Sequence, residues 1–229
     1  MTFLDNSLTL PFRDRKDAGR LLGKALKSLA GRADTVILAL PRGGVPVAAE
    51  IARSLDAPMF VFLVRKLGVP GRKELAMGAI TSGGKRLINR AVTGTLHLSE
   101  KTIDRVSWKE RLELLRSERV YSRGQKMPDL KDKIVILVDD GIATGSTMML
   151  AVQTLREYQP GRIVVAAPVG AAEVVSELAA HADEVICLAE PEPFVAVGAW
   201  YREFSQVSDR DICAILDSAL ERISELKTA

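Results

Sequence analysis

The chain has 229 residues, 47% of them hydrophobic and 27% charged, and its formal net charge is +3. This size suits one α/β core with a small appendage and argues against two full domains, and the mild, scattered charge suits an anionic small molecule without requiring nucleic acid. Two cysteines, two widely separated histidines and no visible signal peptide or apolar span predict a cytoplasmic protein without disulfides, a histidine metal cluster or a membrane-spanning segment.

The first predicted element is a helix that Asp14 can cap and that stops before Gly31. Its apolar residues recur at helical spacing on one face, which is typical of a helix that covers a sheet. These residues are Ala18, Leu21, Leu22, Ala25, Leu26 and Leu29.

The first core strand is predicted over residues 35–40, an apolar run that breaks at Pro41-Arg42-Gly43-Gly44 and is followed by an apolar-faced helix. Backbone amides freed by Gly43 and Gly44, together with the guanidinium of Arg42, suit a pyrophosphate group. Taken alone, the same four residues are more typical of a plain turn than of a ligand loop.

A further strand is predicted over residues 59–64 and ends in Arg65 and Lys66. If the core strands are parallel, these two cations lie at the same sheet edge as Arg42. A charged strand end with no ligand is the alternative interpretation.

Residues 67–132 interrupt the alternation of strands and helices and are too long for a plain connection. A charged helix inside this insertion suits a solvent-facing or subunit-contacting surface better than a substrate clamp. In order, the insertion contains a turn at 68–71, the charged residues Arg72, Lys73 and Glu74, a candidate hairpin at 78–80 and 87–88, and the charged helix at 100–121.

The most informative segment is residues 134–147, which read IVILVDDGIATGST. Its first five residues are apolar without alternation, as in a strand covered on both faces, and Asp139 and Asp140 follow where that strand leaves the sheet. Ligands of α/β proteins bind at that edge.

The turn over residues 141–147 supplies two glycines, three hydroxyls and the amides of a helix start, and such a turn can hold phosphate. Two carboxylates beside a phosphate cradle would repel a bare anion. A sugar phosphate with Mg²⁺ satisfies both features, because its hydroxyls or the cation can lie against the carboxylates.

This segment resembles the phosphoribosyl pyrophosphate (PRPP) motif of the type I phosphoribosyltransferases, which the chain matches throughout residues 135–147. The resemblance implies that Asp139 and Asp140 hold the ribose 2- and 3-hydroxyls, directly or through Mg²⁺. It assigns the 5-phosphate to Ala143, Thr144, Gly145, Ser146 and Thr147. An ordinary strand-to-helix turn with an acidic cap is the alternative, and no Walker A motif competes.

The same resemblance gives roles to the other loops. It implies that Arg42, Gly43 and Gly44 bind pyrophosphate and favours PRPP contacts for Arg65 and Lys66. It also implies a flexible loop that closes over the reacting centre, with catalytic Arg72 and Lys73 at its tip beside Glu74.

The remaining strands, over 162–167 and 184–188 with a helix between them, complete a doubly wound sheet, and a last helix covers about 209–226. The resemblance implies a small hood built from about 1–13 and 190–208 that receives a base. The aromatic residues of that segment, Phe194, Trp200, Tyr201 and Phe204, either form the base pocket or pack the core of the hood.

The hood segment loosely resembles that of the 6-oxopurine enzymes, but two features depart from their pattern. Residues 162–189 contain no lysine, and Ala143 stands where those enzymes carry a loop carboxylate. The acceptor base is therefore left unassigned.

These observations predict an α/β protein with a doubly wound, mainly parallel sheet, a core of about 14–189 and a small hood. We expect a Mg²⁺-dependent transferase that moves the phosphoribosyl group from PRPP to a nitrogenous base and releases pyrophosphate. We also expect a homodimer with no membrane or nucleic-acid partner. A non-catalytic sensor of PRPP or nucleotides on the same fold, and a generic nucleotide-binding protein, are the alternatives.

Overall fold

The computed structural model of the chain describes residues 9–123 and 126–226, without the side chains of 73, 74 and 223–226. Within these residues the strands are β1 (Thr35–Ala39), β2 (Met59–Val61), β3 (Val64–Val69), β4 (Arg72–Thr81), β5 (Arg86–Ile88), β6 (Ile134–Val138), β7 (Arg162–Val169) and β8 (Glu184–Ala189). The α-helices are α1 (Arg15–Ala25), α2 (Gly44–Leu55), α3 (Arg90–Thr95), α4 (Glu100–Tyr121), α5 (Ser146–Arg156), α6 (Ala172–Ala179) and α7 (Asp209–Leu226).

In the described part of the chain, β1, β2, β6, β7 and β8 form one parallel sheet in the order β2-β1-β6-β7-β8. This confirms the predicted doubly wound α/β fold. The chain moves outward from β1 to β2 and then returns to the other side of β1 with β6. The strand order therefore reverses between β1 and β6, and the carboxyl ends at such a switch point form a crevice that binds ligands.

Both faces of this sheet are buried, which explains why its central strands are apolar without alternation. Along β1, Ile37 and Ala39 pack in the core layer that contains α1, α2 and α7, whereas Val36 and Leu38 pack in the layer that contains α5 and α6. The sheet is thus held from both sides, and the loops at its carboxyl edge start from fixed positions.

Helix α1 begins as predicted, because the Asp14 side chain accepts a hydrogen bond from the Asp17 amide at 2.7 Å. The helix ends at Ala25, earlier than its apolar stripe suggested, and a 3-10 turn over Lys27–Leu29 follows. That turn still buries Leu29, so the apolar stripe is retained with a tighter backbone.

The prediction for Arg65 and Lys66 was wrong about their place in the fold. β2 ends at Val61, and both residues lie within β3, the first strand of an antiparallel sheet ordered β3-β4-β5. The prediction treated residues 59–64 as one strand because they form one continuous apolar run. In the structure a second strand starts at Val64, and β3 has one buried face, formed by Leu67 and Val69. Arg65 donates a hydrogen bond to Glu110 of α4 at 2.6 Å.

The insertion predicted between the core strands is this antiparallel sheet together with α3 and α4. The predicted hairpin is present, since Gly78 pairs with Ile88 and Ala79 with Leu87, and β4 extends it back to Arg72.

Helix α4 spans the predicted residues, and its Trp108 is 63% exposed. The predicted subunit contact on α4 stays a prediction.

The hood joins the start of the described chain to the segment before α7. Phe12 donates a backbone hydrogen bond to Trp200 at 2.9 Å, and the Arg202 amide donates one to Phe12 at 2.8 Å. The Phe12 ring packs against Tyr201, with ring centroids 5.6 Å apart. The start of α1 is therefore fixed to the hood.

None of the helices within residues 9–123 and 126–226 is both long enough and apolar enough to cross a membrane.

Candidate functional site

The two predicted ligand loops lie next to each other because β1 and β6 are neighbouring parallel strands. Ala39 is paired with Val138, and the Leu40 amide donates a hydrogen bond to the Val138 carbonyl at 2.8 Å. The chain after β1, Pro41-Arg42-Gly43-Gly44, thus leaves the sheet beside Asp139 and Asp140.

Gly43 and Gly44 are required by close packing between these loops. A Cβ atom on Gly43 would lie 1.9 Å from Asp140 Oδ2, and one on Gly44 would lie 2.5 Å from the Val138 carbonyl oxygen. Any side chain at Gly43 would have to displace the carboxylate. The Pro41–Arg42 peptide in this loop is cis.

Asp139 is the more withdrawn of the two acids. Its carboxyl is buried, although the residue as a whole is half-buried, and its Oδ1 accepts a hydrogen bond from the Asp140 amide at 2.8 Å. Burial, and next the negative charge of Asp140, raise the pKa of Asp139 well above its ordinary value.

Asp140 is held by two residues from other parts of the fold. Arg15 Nε donates a hydrogen bond to Asp140 Oδ2 at 2.7 Å, and the side chains of this ion pair are only 11% and 14% exposed. The Tyr201 hydroxyl donates to the Asp140 backbone carbonyl at 2.6 Å. Helix α1 and the hood therefore meet at this acid.

The predicted phosphate loop forms an open cradle. Ala143, Thr144, Ser146 and Thr147 line it, and Gly145 precedes α5 with φ +65°, a conformation that glycine adopts without a steric penalty. The first amides of an α-helix have no intrahelical acceptors, so the start of α5 offers donors to an anion.

The cradle is fixed at its base and on one side. Ile142 is buried and its amide donates to the Val169 carbonyl at 2.9 Å, which ties the loop to the end of β7. A Cβ atom on Gly141 would meet a methyl group of Val197 at 2.4 Å, so the hood packs directly against the loop.

Arg42 has a half-exposed side chain that reaches the start of α7. Its Nη2 lies 3.3 Å from Asp209 Oδ1, and the Tyr121 hydroxyl donates to the same oxygen at 2.5 Å. Arg42 thus precedes the glycine that packs against Asp140, and its guanidinium is paired with Asp209 while remaining half-exposed.

The structure does not bring every predicted residue to this crevice. Arg65 is paired with Glu110, and Lys66 lies in the same antiparallel strand. Arg72 is exposed at the start of β4, and the side chain of Lys73 lies outside the described part of the structure. Their roles toward PRPP stay predictions.

The aromatic residues of the hood divide into packed and accessible groups. Tyr201 is only 5% exposed and contacts Phe12 and Phe204, so it belongs to the hood core, the alternative that the sequence left open. Phe194 and Trp200 are half-buried. Trp200 Nε1 is buried and has no hydrogen-bond acceptor among the described residues.

A large cavity lies elsewhere, at the edge strand β2. Its volume is about 610 Å³, and it is lined by parts of β2, α4, α7 and residues 126–130. Its lining includes neither of the two acids nor the cradle. The chemistry suggested by the sequence is thus in an open crevice and not in this cavity.

The comparison with protein families decides the identity of the fold. A model of the phosphoribosyl transferase domain matches residues 14–200, which include both ligand loops and most of the hood segment. The chain belongs to the phosphoribosyl transferase domain family.

Other members of this phosphoribosyl transferase domain family are similar over most of the chain. Curated proteins from two strains of Mycobacterium tuberculosis, whose names propose a phosphoribosyl transferase, are each 47% identical over 214 residues. The match covers 93% of this chain and 48% of theirs, so the chain spans about half the length of these relatives. The crystal structure of TT1426 from Thermus thermophilus is 44% identical, with a TM-score of 0.79, and the match covers 90% of this chain and 97% of that one.

Two residues at this crevice were missed in the sequence. Arg15 looked like one of several charged residues on an amphipathic helix, and Asp209 looked like a helix start. Both reach the site from elements that are distant in sequence, and no local pattern marks such a contact. The only available signal was the position of Arg15 directly after a capping residue, and that signal has no chemical specificity.

We predict that Gly43→Ala weakens the binding of PRPP with Mg²⁺ at least about tenfold, because the new methyl group must displace the Asp140 carboxylate. The stability of the fold should change by less than about 1 kcal/mol, since the Asp140 side chain can move while the strands stay in place. Calorimetric titration together with urea unfolding measures both quantities. The matched control is Gly94→Ala, where no atom lies within 4 Å of the added methyl group. Equal PRPP affinity in both variants would contradict the packing argument.

We also predict that Asp139→Asn changes how stability depends on pH in the absence of ligand. Because the pKa of Asp139 is raised in the folded state, its contribution to stability is present below the unfolded pKa and is lost as pH rises through the folded pKa. The free energy of unfolding of Asp139→Asn relative to the wild type should therefore increase from acid to neutral pH. Urea unfolding over a pH series provides the measurement.

Asp183→Asn is the control with the opposite sign. Burial opposes the shift, but hydrogen bonds from Arg156 and from the Ile163 amide lower the pKa of Asp183. The wild type should therefore gain stability over Asp183→Asn as pH rises through the unfolded pKa. A pH-independent difference for Asp139→Asn would show that its carboxyl is not withdrawn from water.

Proposed function

We propose that the chain catalyses the Mg²⁺-dependent transfer of the 5-phosphoribosyl group from PRPP to a nitrogenous base. In this reaction the bond between C1 of the ribose and a pyrophosphate oxygen breaks. A bond from C1 to a nitrogen of the base forms, pyrophosphate leaves, and the base loses a proton.

The observation that carries the proposal is the contact between Gly43 and Asp140. It brings the candidate pyrophosphate loop against the candidate ribose acids, at the switch point of the sheet, with the phosphate cradle at 143–147 next in the chain. PRPP carries its phosphate, hydroxyls and pyrophosphate around one ribose ring, so these three features match its three parts. Family membership supports the same assignment.

The residues at the crevice fit Mg²⁺ bound mainly through substrate. No group of three or more His, Cys, Asp or Glu side chains that could hold a metal is found among the described residues. Mg²⁺ is often held by one or two carboxylates together with substrate phosphate oxygens and water, and Asp139 and Asp140 supply the carboxylates. When bound, the ion would neutralise charge on the departing pyrophosphate.

The chain's own groups would act chiefly by position and charge. The cradle at 143–147 would fix the 5-phosphate, and Asp139 with Asp140 would accept hydrogen bonds from the ribose hydroxyls. Arg42 and the amides of Gly43 and Gly44 would hold pyrophosphate as its charge grows. Holding C1 between leaving group and nucleophile supplies the remaining advantage, because the two reactants then meet without further loss of freedom.

The acceptor would enter from the hood side. Phe194 and Trp200 offer half-buried aromatic surface, which suits the flat face of a heterocycle. Tyr201 is left out of this role because its ring is packed and its hydroxyl is bound to Asp140.

PRPP with Mg²⁺ is predicted to raise the melting temperature of the protein, because the site exists only in the folded state. At about 100 times the dissociation constant, a ligand adds about 2.7 kcal/mol to the free energy of unfolding. Thermal melts should compare PRPP, ribose 5-phosphate and ATP, and a screen of bases for pyrophosphate release should identify the acceptor.

The matched control is the double variant Asp139→Asn with Asp140→Asn, which should fold and lose the shift. A shift by ATP as large as that by PRPP would contradict a specific PRPP site. If PRPP raised the melting temperature of the folded double variant as much as that of the wild type, neither acid would belong to the PRPP site.

A second candidate function is a sensor that binds PRPP or a nucleotide without turnover. The packed hood favours it, since Tyr201 is buried and Phe204 contacts both Tyr201 and Arg15, so both rings already make contacts within the protein. A sensor needs the crevice around Asp139 and Asp140 but no loop that closes during reaction.

The tip of the β3–β4 hairpin separates the two functions. In an enzyme, Arg72→Ala with Lys73→Ala should reduce turnover at least about tenfold more than PRPP affinity, because these cations would act on pyrophosphate as it departs. Steady-state kinetics with the base from the screen, together with calorimetry of PRPP, measures the two effects.

The control for the hairpin is Lys101→Ala with Arg105→Ala, which removes two exposed cations from α4. If turnover is unchanged in Arg72→Ala with Lys73→Ala, the proposed role of this hairpin is wrong, but the protein is still an enzyme. If no base supports turnover while PRPP binds at micromolar concentration, the sensor replaces the enzyme.

A further inference from the structure

Arg15 makes three different contacts at the edge of the crevice. Its Nε donates to Asp140 Oδ2 at 2.7 Å, and its Nη1 donates to the Ser205 carbonyl at 2.8 Å. Its guanidinium carbon lies 3.8 Å from the centroid of the Phe204 ring. One side chain therefore joins helix α1, an acid of the ligand site and the hood.

The burial of Arg15 distinguishes it from a surface charge. Its side chain is 11% exposed, whereas that of Arg20, further along α1, is 53% exposed. Taking a guanidinium from water is costly unless its donors are satisfied. The planar fork of arginine can bind a carboxylate and a carbonyl while it stacks on an aromatic ring, which a lysine ammonium cannot do together.

Arg15 binds one of the two carboxylate oxygens of Asp140, and Oδ1 is the oxygen that it does not bind. Arg15 binds Oδ2, the same oxygen that lies closest to the Cβ position of Gly43. The hydrogen bond from Arg15 to Oδ2 and the one from Tyr201 to the backbone carbonyl restrict the rotation of the carboxylate.

We propose that Arg15 is a positioning residue that fixes Asp140 for the ribose and couples that acid to the hood through Phe204 and Ser205. The inference rests on the proposed function, because it assigns a task to Asp140 in PRPP binding. It deepens that function by linking the half of the site that binds PRPP to the half that would receive the acceptor.

Two other roles for Arg15 make different predictions. As a direct cation for a phosphate, it would contribute to PRPP binding whether or not Asp140 is charged. As a support of the fold alone, it would affect stability without a specific effect on PRPP affinity. A double-mutant cycle separates these roles, because residues that act through each other have non-additive effects.

The experiment is calorimetry of PRPP with Mg²⁺ on the wild type, Arg15→Ala, Asp140→Asn and the double variant. Arg15→Ala should weaken binding at least about tenfold in the wild-type background and less than about twofold in the Asp140→Asn background. The matched control is Arg20→Ala on the same helix, which should bind PRPP like the wild type.

A second cycle does not require Asp140→Asn to retain measurable binding. Phe204→Leu removes the ring beneath the guanidinium but keeps apolar volume, and it should weaken PRPP binding about threefold alone and not at all in Arg15→Ala. Arg15→Lys should recover only part of the affinity, since one ammonium cannot keep all three contacts.

Equal effects of Arg15→Ala in both Asp140 backgrounds would overturn the proposal in favour of a direct phosphate contact. Unchanged PRPP affinity in Arg15→Ala, or in Phe204→Leu, would overturn it in favour of a structural role. Absence of PRPP binding to the wild type would refute the proposed function, and with it this inference, whereas the other outcomes leave the function intact.

Discussion

The site depends on one close contact, the packing of Gly43 against the Asp140 carboxylate. Parallel pairing of β1 with β6 places the two loops side by side, and the absence of a side chain at Gly43 allows the backbone to touch the acid. Because both strands are buried on both faces, the loops start from rigid positions. The distance between the Gly43 loop and the two acids is therefore set by the sheet and not by loop flexibility.

The second constraint is electrostatic, since two adjacent carboxylates lie where PRPP, itself an anion, is proposed to bind. The protein reduces this repulsion in two ways. Burial, and next the charge of Asp140, raise the pKa of the Asp139 carboxyl, whereas Asp140 is paired with Arg15. Arg42 is likewise paired, with Asp209. Asp140 and Arg42 thus each have a partner of opposite charge within the fold.

The sequence predicted those parts of the fold and site that are encoded locally. Continuous apolar strands, an acidic strand end and a glycine-rich turn mark β1, β6 and the cradle, because burial on both faces and helix-start amides leave a local pattern. The contact of Arg15 with Asp140 joins residues that are 125 positions apart, so no local sequence pattern indicates it. Arg65 and Lys66 were misplaced because two strands in succession formed one apolar run. Tyr201 looked like a ligand contact because aromatic composition does not distinguish a pocket from a core.

The most direct test of the account is a crystal structure of the protein with PRPP and Mg²⁺. We expect the ribose hydroxyls to contact Asp139 and Asp140, the 5-phosphate to bind residues 143–147 and the pyrophosphate to lie beside Arg42. A PRPP molecule bound elsewhere, such as in the cavity at β2, or one in the crevice whose ribose does not contact either acid, would contradict it.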